Sequence, residues 1–324
     1  MKLSQRTWTI LRRVVLYPTY FCVCSIVFAY CTFPYDRVRD RVEAEVERAM
    51  PGADLEIVSL SPSWVTGIAL TGVSLTLPPE PGEEVPSEIS LTEARARVGL
   101  LALLTGGVSI SFSAELGGGG TIEGAVENGE TSSHVVLHLE RVALERIGPL
   151  RRFAKLPLAG TLAGDVDVTI ADDVEATNGS ATLSIAGLAI GDGTARLQIP
   201  GLRSGITVER LDAGNLDLRV QIERGVGRLQ QLSASSDDIE LRGAGTLRLL
   251  RPIRMSNIDL MLRLDVKPPY RERNDRTRAI FTMVEMAQEV RPFRAPDGAF
   301  QVRLAGSFGS SIRALPAGTA PMPQ

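Results

Sequence analysis

The chain has 324 residues, with 35 Lys and Arg against 38 Asp and Glu and a net charge of −3. That balance carries no electrostatic footprint for nucleic acid, so none is expected as a partner. Aromatic residues are 5% and glycines number 31, which favours strands joined by tight turns over a core of large rings.

Val14 to Phe33 contains no charged residue. As a helix rising 1.5 Å per residue, about 20 apolar residues cross the ~30 Å hydrocarbon core and satisfy their own backbone polar groups. Pro18 falls near the start, where a lost backbone bond is tolerable. Tyr17, Tyr20 and Tyr30 fall toward the ends, at headgroup level. Lys2, Arg6, Arg12 and Arg13 precede the run with no acid among them, while Asp36, Arg37, Arg39 and Asp40 after it cancel. The positive-inside rule then makes residues 1–13 a cytoplasmic basic tail and residues 14–33 a single transmembrane anchor, with the bulk of the chain beyond it. A cleaved signal peptide is the alternative, but the run is longer than such a core and no small-x-small cleavage site follows. All three cysteines, Cys22, Cys24 and Cys31, lie in this run. The remainder therefore has no disulfide framework, no thiol nucleophile and no Cys-based metal site.

Residues 34–50 continue as a juxtamembrane helix. Val38, Val42, Val46 and Ala49 form a narrow stripe, Arg39 and Glu43 stand four apart, and Pro51-Gly52 stops the helix. Then the period becomes two. Leu55 and Ile57 mark one strand, and Ile68 to Leu77 a second. Trp64 lies between them and reads either as a stacking ring or as a ring plugging the sheet end, the second reading being favoured by how large rings are used. Residues 78–87 are an acidic, Pro-rich loop. Ile89 to Val98 is a strand, and Gly99 to Leu104 a short apolar turn that caps a sheet end or touches a membrane. Val108 to Leu116 and Thr121 to Glu127 pair across Gly117–Gly120.

His134 to Glu140 is a strand bearing both histidines of the chain. Four residues of strand separate His134 from His138 by about 13 Å, too far to share a metal. Val142 to Phe153 reads as a helix. From Leu158 the alternation is regular: 158–170, 177–186, 194–199 pairing back across Gly191-Asp-Gly193, then 206–211, 216–223, 227–234, 239–250 and 255–266. Asp172-Asp173 and Asp237-Asp238 read as solvated turn residues. Arg276 to Val290 is a helix with Ile280, Met283, Val284 and Ala287 inward. Gly298 to Phe308 is a last strand, and residues 311–324 read as a disordered tail.

The fold class expected is mainly β: one long antiparallel, curved sheet, trough- or sandwich-like, with a few short helices, over residues 51–310 behind the anchor. So few helices cannot cover so many strands. A trough would leave an apolar inner wall that acyl chains could occupy; a dry sandwich explains the same alternation. The cleanest alternation marks the candidate wall as Leu216, Leu218, Val220, Ile222, Ile258, Leu260, Leu262 and Leu264.

The order of features resembles the N component of type II secretion systems (GspN) in its single-anchor form. The residues that carry the resemblance are Phe33-Pro-Tyr-Asp-Arg37, Leu60-Ser-Pro-Ser-Trp64 with Gly67 to Leu75, Ala94 to Val98 with Leu100 to Leu104, Gly119 to Gly124, Leu158 to Gly164 and Gly298 to Gly306. The resemblance implies a bacterial inner-membrane protein with its bulk in the periplasm and other secretion-system subunits as partners. It also implies kinship with AsmA-like proteins, whose curved sheets hold lipid. The chain is short beside the bridge-like members of that group. No Ser-His-Asp arrangement, metal cluster or nucleotide loop is legible, so no enzymatic activity and no cofactor are expected. Two roles follow: a scaffold or accessory part of a secretion machine, or a module that binds or transfers phospholipid.

Overall fold

The computed structural model describes residues 16–32, 34–64, 66–78, 87–99, 107–148, 150, 156–197, 206–207, 209–288, 290–309 and 312–317. Helix α1 (Tyr17–Thr32) takes 16 residues of the apolar run, about 24 Å of helix. Leu16 precedes it in the span, while residues 14, 15 and 33 and the basic tail lie outside the described residues. Among the described residues no helix is long and apolar enough to cross a membrane.

Helix α2 (Tyr35–Ala49) turns through Pro51-Gly52 and packs along the first strand, β1 (Asp54–Ser63). Val38 and Val46 face inward, while Val42, expected on the same stripe, is exposed. Glu43 Oε1 accepts the Ile57 N–H at 3.1 Å. An edge strand presents a row of unpaired donors, and here one of them is taken by the helix. Pro62 in β1 fits an edge position, since it has no N–H to offer.

The sheet then runs β2 (Gly67–Leu77), β3 (Ser87–Val98), β4 (Val108–Leu116), β5 (Thr121–Asn128), β6 (Ser132–Ala143), β7 (Leu158–Ala171) and β8 (Asn178–Ile190). A separate two-stranded piece, β9 (Arg196–Leu197) and β10 (Ile206–Thr207), interrupts the series. The main sheet resumes with β11 (Leu211–Glu223), β12 (Val226–Ser235), β13 (Ile239–Arg248), β14 (Asn257–Val266), β15 (Phe300–Ser307) and β16 (Arg313–Pro316). Fourteen of these strands form one open, curved antiparallel sheet, each beside its sequence neighbour except for the β8–β11 step over the small piece. Neither a sandwich nor a barrel forms: β1 bonds only to β2 in the sheet, and β16 only to β15.

Short turns explain the order. Arg224 and Gly225 both take positive φ, 50° and 72°, between the paired Glu223 and Val226. Two such residues make the turn whose twist matches a hairpin. Within β13, Gly245 at φ 153° lies against the Asp259 carbonyl of β14, where a Cβ has no room. Gly245→Ala should therefore cost about 1–3 kcal/mol, read by chemical denaturation; an unchanged midpoint would show that β14 yields freely there.

The core sits at one end of the strands. Leu144, Leu188, Ala213, Ile239, Val266 and Tyr270 are buried together, with Leu162, Ile185, Leu216, Leu264, Phe281 and Phe300 packed on them. Tyr270 comes from α3 (Pro268–Arg271) and Phe281 from α4 (Asp275–Met286); their rings meet edge to face at 6.1 Å. A reciprocal cap starts α4, with Asn274 Oδ1 accepting from Thr277 N and Thr277 Oγ1 accepting from Asn274 N.

Five expectations are corrected. Val142 begins no helix: it is fully buried in β6, brought inward after Arg141 at φ 51°, and helical backbone starts only later, in the turn Leu144–Arg146 and again at Gly148 and Leu150 on either side of residue 149, which is outside the described set. Of the expected strand 194–199, residues 194–197 do not pair back on β8, because β11 occupies that edge, and 198–199 lie outside the described residues; Asp192 Oδ1 accepts the Thr194 and Ala195 N–H groups and turns the chain away. In α4 the inward stripe includes Phe281, and Met283 is exposed. Asp238 is buried rather than solvated. Part of the expected disordered tail, Arg313–Pro316, is β16. The loop 79–86 and the apolar run 100–104 lie outside the described residues.

Candidate apolar groove

In an antiparallel sheet, residues directly opposite each other share a face. Following partners from strand to strand from Leu218 gives a row without a polar side chain. In one direction it passes through Leu183, Gly164, Leu139 and Ile122 to Ala114, Ala94, Leu70 and Leu60. In the other it reaches Leu232, and the Leu232 and Leu262 methyl groups fill the space a side chain at Gly243 would need. Leu262 then faces Val302.

The next row contains Leu137, Val166, Ala181, Val220, Leu229, Gly245, Leu260 and Leu304. A third contains Val135, Val168, Gly179, Ile222, Gly227, Leu247, Ile258 and Gly306. All eight residues of the expected wall stand on this one face. Leu216 and Leu264 form a fourth row with Leu162, Ile185, Ala234, Leu241 and Phe300.

The core cluster takes in Leu162, Ile185, Leu216, Leu264 and Phe300 of that fourth row and stops there; no member of the other three rows belongs to it. Leu216 and Leu264 are thus committed to the core, and Ile222 is buried. The other five wall residues are only half-buried, as are Leu183, Leu232, Val302 and Leu304 around them. Side chains shield one another in this way along a curved face, and among the described residues the core cluster that carries α3 and α4 stops at the fourth row. The second row continues from Leu137 through Gly124, Phe112, Ala96 and Ile68 to Pro62, and the third from Val135 through Val126 and Ile110 to Val98, so three rows crossing eleven to thirteen strands about 4.8 Å apart give a strip roughly 50–60 Å by 13 Å. That is on the order of 800 Å², above the 300–600 Å² of the largest patch on a typical monomer.

The other face is polar. Arg303 grips Asp259 through two bonds of 2.7 Å, which holds the Asp259 carboxyl below its usual range. Arg263 pairs with Asp297, whose carboxyl is lowered by that bond. Both histidines stand on this face: His134 Nε2 lies 2.8 Å from Asp167 Oδ1, and His138 Nδ1 lies 2.5 Å from Asp165 Oδ1. Among the described residues no three His, Asp, Glu or Cys side chains group as metal ligands.

The hydrogen bond to Asp165, and then its charge, lift the His138 pKa above 6.5. A raised imidazole pKa means the folded chain holds that proton more tightly than the unfolded one. The contribution is complete below about pH 6.5 and fades as pH rises through the higher folded value. An NMR titration of the ring should give a midpoint above 6.5, and Asp165→Asn should return it to the ordinary range; equal midpoints would rule the pairing out.

Sequence reasoning placed its candidate wall on the two cleanest strands and missed the rest of the apolar face. Leu183, Leu232 and Val302 lie in segments broken by Gly, Ala and Ser, so their alternation is diluted. Searches against protein-family models, curated proteins and solved structures find no match for this chain.

Proposed function

We propose that this protein is a non-enzymatic, membrane-anchored module that holds the acyl chains of phospholipid along the apolar face of its sheet. One observation carries the reading: three unbroken apolar rows cross the sheet outside the core. Moving a dozen methylenes from water onto such a surface is worth about 10 kcal/mol. No polar group interrupts the rows, so the surface suits hydrocarbon and offers no fixed donor to a headgroup, which would stay at the open edge in water. Val14 to Phe33 supplies the membrane attachment, with the sheet on the far side of a bacterial inner membrane. A scaffold role in a secretion machine needs only the sheet edges and partner subunits, and it predicts an empty face.

A phospholipid with a photoreactive group at mid-chain, incubated with the full chain in bilayers, tests this. Labels at Leu183, Leu218 and Leu262 and none at Arg219 or Asp259 are expected. Labels confined to residues 14–33 would leave only the scaffold role.

A further inference from the structure

Trp64 does not plug the sheet. It stands at the β1–β2 turn with 76% of its surface exposed, at φ 57°. A left-handed backbone is unusual for a bulky residue, and the surroundings fix it. Ser63 pairs with Gly67, Thr66 Oγ1 donates to the Val98 carbonyl at 2.7 Å, and the Thr66 carbonyl accepts the Val98 N–H. The Arg97 guanidinium lies over the indole, 5.8 Å from its centre. A ring turned outward beside a cation is placed for contact with something outside the sheet.

The position of the tip says what it meets. Helix α2 runs antiparallel to β1, and Glu43 meets Ile57. From that contact, eight residues of helix lead back to Tyr35, about 12 Å. Seven residues of strand lead to Trp64 in the same direction, about 23 Å. The tip therefore projects roughly 11 Å past the start of α2, on the side where the apolar helix α1 joins. Val108 and Ile110, exposed at the start of β4 beside Val98, extend the apolar surface to the same corner.

We propose that the Trp64 tip is a bilayer contact, with its indole at headgroup level, where Trp is favoured, and Arg97 against lipid phosphate. It would hold the β1–β4 corner of the apolar face on the lipid surface from which acyl chains enter. This rests on the reading that α1 lies in the bilayer and that the face takes acyl chains.

The chain has two tryptophans, Trp8 and Trp64, so Trp8→Phe in the full chain leaves Trp64 as the sole reporter. In vesicles of phosphatidylcholine and phosphatidylglycerol, its emission should shift to the blue. Lipids brominated near the headgroup should quench it more than lipids brominated near the chain end. Water-like, unquenched emission from protein that co-floats with the vesicles would overturn the tip contact while leaving the anchor intact. Stronger quenching by deep bromines would overturn the headgroup placement, and failure to float would remove the anchor and the tip together. Trp64→Ser should leave mid-chain photolabelling at Leu218 detectable, so failure of the groove reads separately from failure of the tip.

Discussion

Asp238→Ala should lower the melting temperature by about 6–12 °C, the equivalent of about 3 kcal/mol in a domain of this size. Asp238 is 4% exposed at the β12–β13 turn. Arg273 Nη2 donates to both of its oxygens at 2.6 and 2.7 Å, and the Asp212 N–H donates to one of them at 2.9 Å. The same guanidinium donates to the Arg210 carbonyl and lies 4.9 Å over the Tyr270 ring. Tyr270 in turn donates to the Glu209 carbonyl at 2.8 Å. One carboxylate thus ties β11, the β12–β13 turn and the α3–α4 segment around the core. Removing one partner of a buried pair costs about 3–5 kcal/mol; Arg273 is partly exposed and can regain water, so the lower end applies. Asp238→Asn keeps an acceptor and should lose less. A change of melting temperature within experimental error for Asp238→Ala would show that the network is ornamental and that aliphatic packing alone closes this end.

Leu218→Asp combined with Leu262→Asp should abolish lipid labelling while the chain stays folded. Both leucines are half-buried in a row outside the core cluster of the described residues, so a carboxylate there reaches water when the face is empty. With acyl chains over it, each charge costs about 2.5–3.5 kcal/mol by comparison with the centre of a membrane helix. Two such charges amount to more than a thousandfold in affinity. Were the row the inside of a closed core, the same pair would bury unpaired charges and unfold the domain. Circular dichroism together with photolabelling separates the cases: a folded chain still labelled at Leu183 defeats the groove, and an unfolded one defeats its openness.

Strands were legible wherever turns were short and alternation clean. Leu216 to Glu223 and Ile258 to Val266 announce themselves by eight or nine residues of strict period, and both lie in the sheet. Where a local device overrides the period, the sequence misled. The positive φ at Arg141 carries β6 past the point where Val142 to Phe153 looked helical. The Asp192 side chain, by bonding forward to Thr194 and Ala195, takes the next stretch out of the sheet. Asp238 resembled its neighbour Asp237 in every sequence property, and only the arrival of Arg273 from 35 residues away distinguishes them. Trp64 was legible as a tip residue but not as an outward-facing one, since the tie from Thr66 to Val98 involves a strand 32 residues on.

The strand order bears on how the chain reaches this form. Nearly every pairing joins adjacent segments, so the average separation between partners is small and loop-closure entropy is modest at each step. The sheet can grow one hairpin at a time from β1, whose outer edge α2 already guards. A chain emerging N-terminus first can therefore zip as it is delivered, exposing only its newest edge. In such a sheet length is a quantity evolution can adjust: each added or deleted hairpin changes the span by about 10 Å without altering the register of those already laid down.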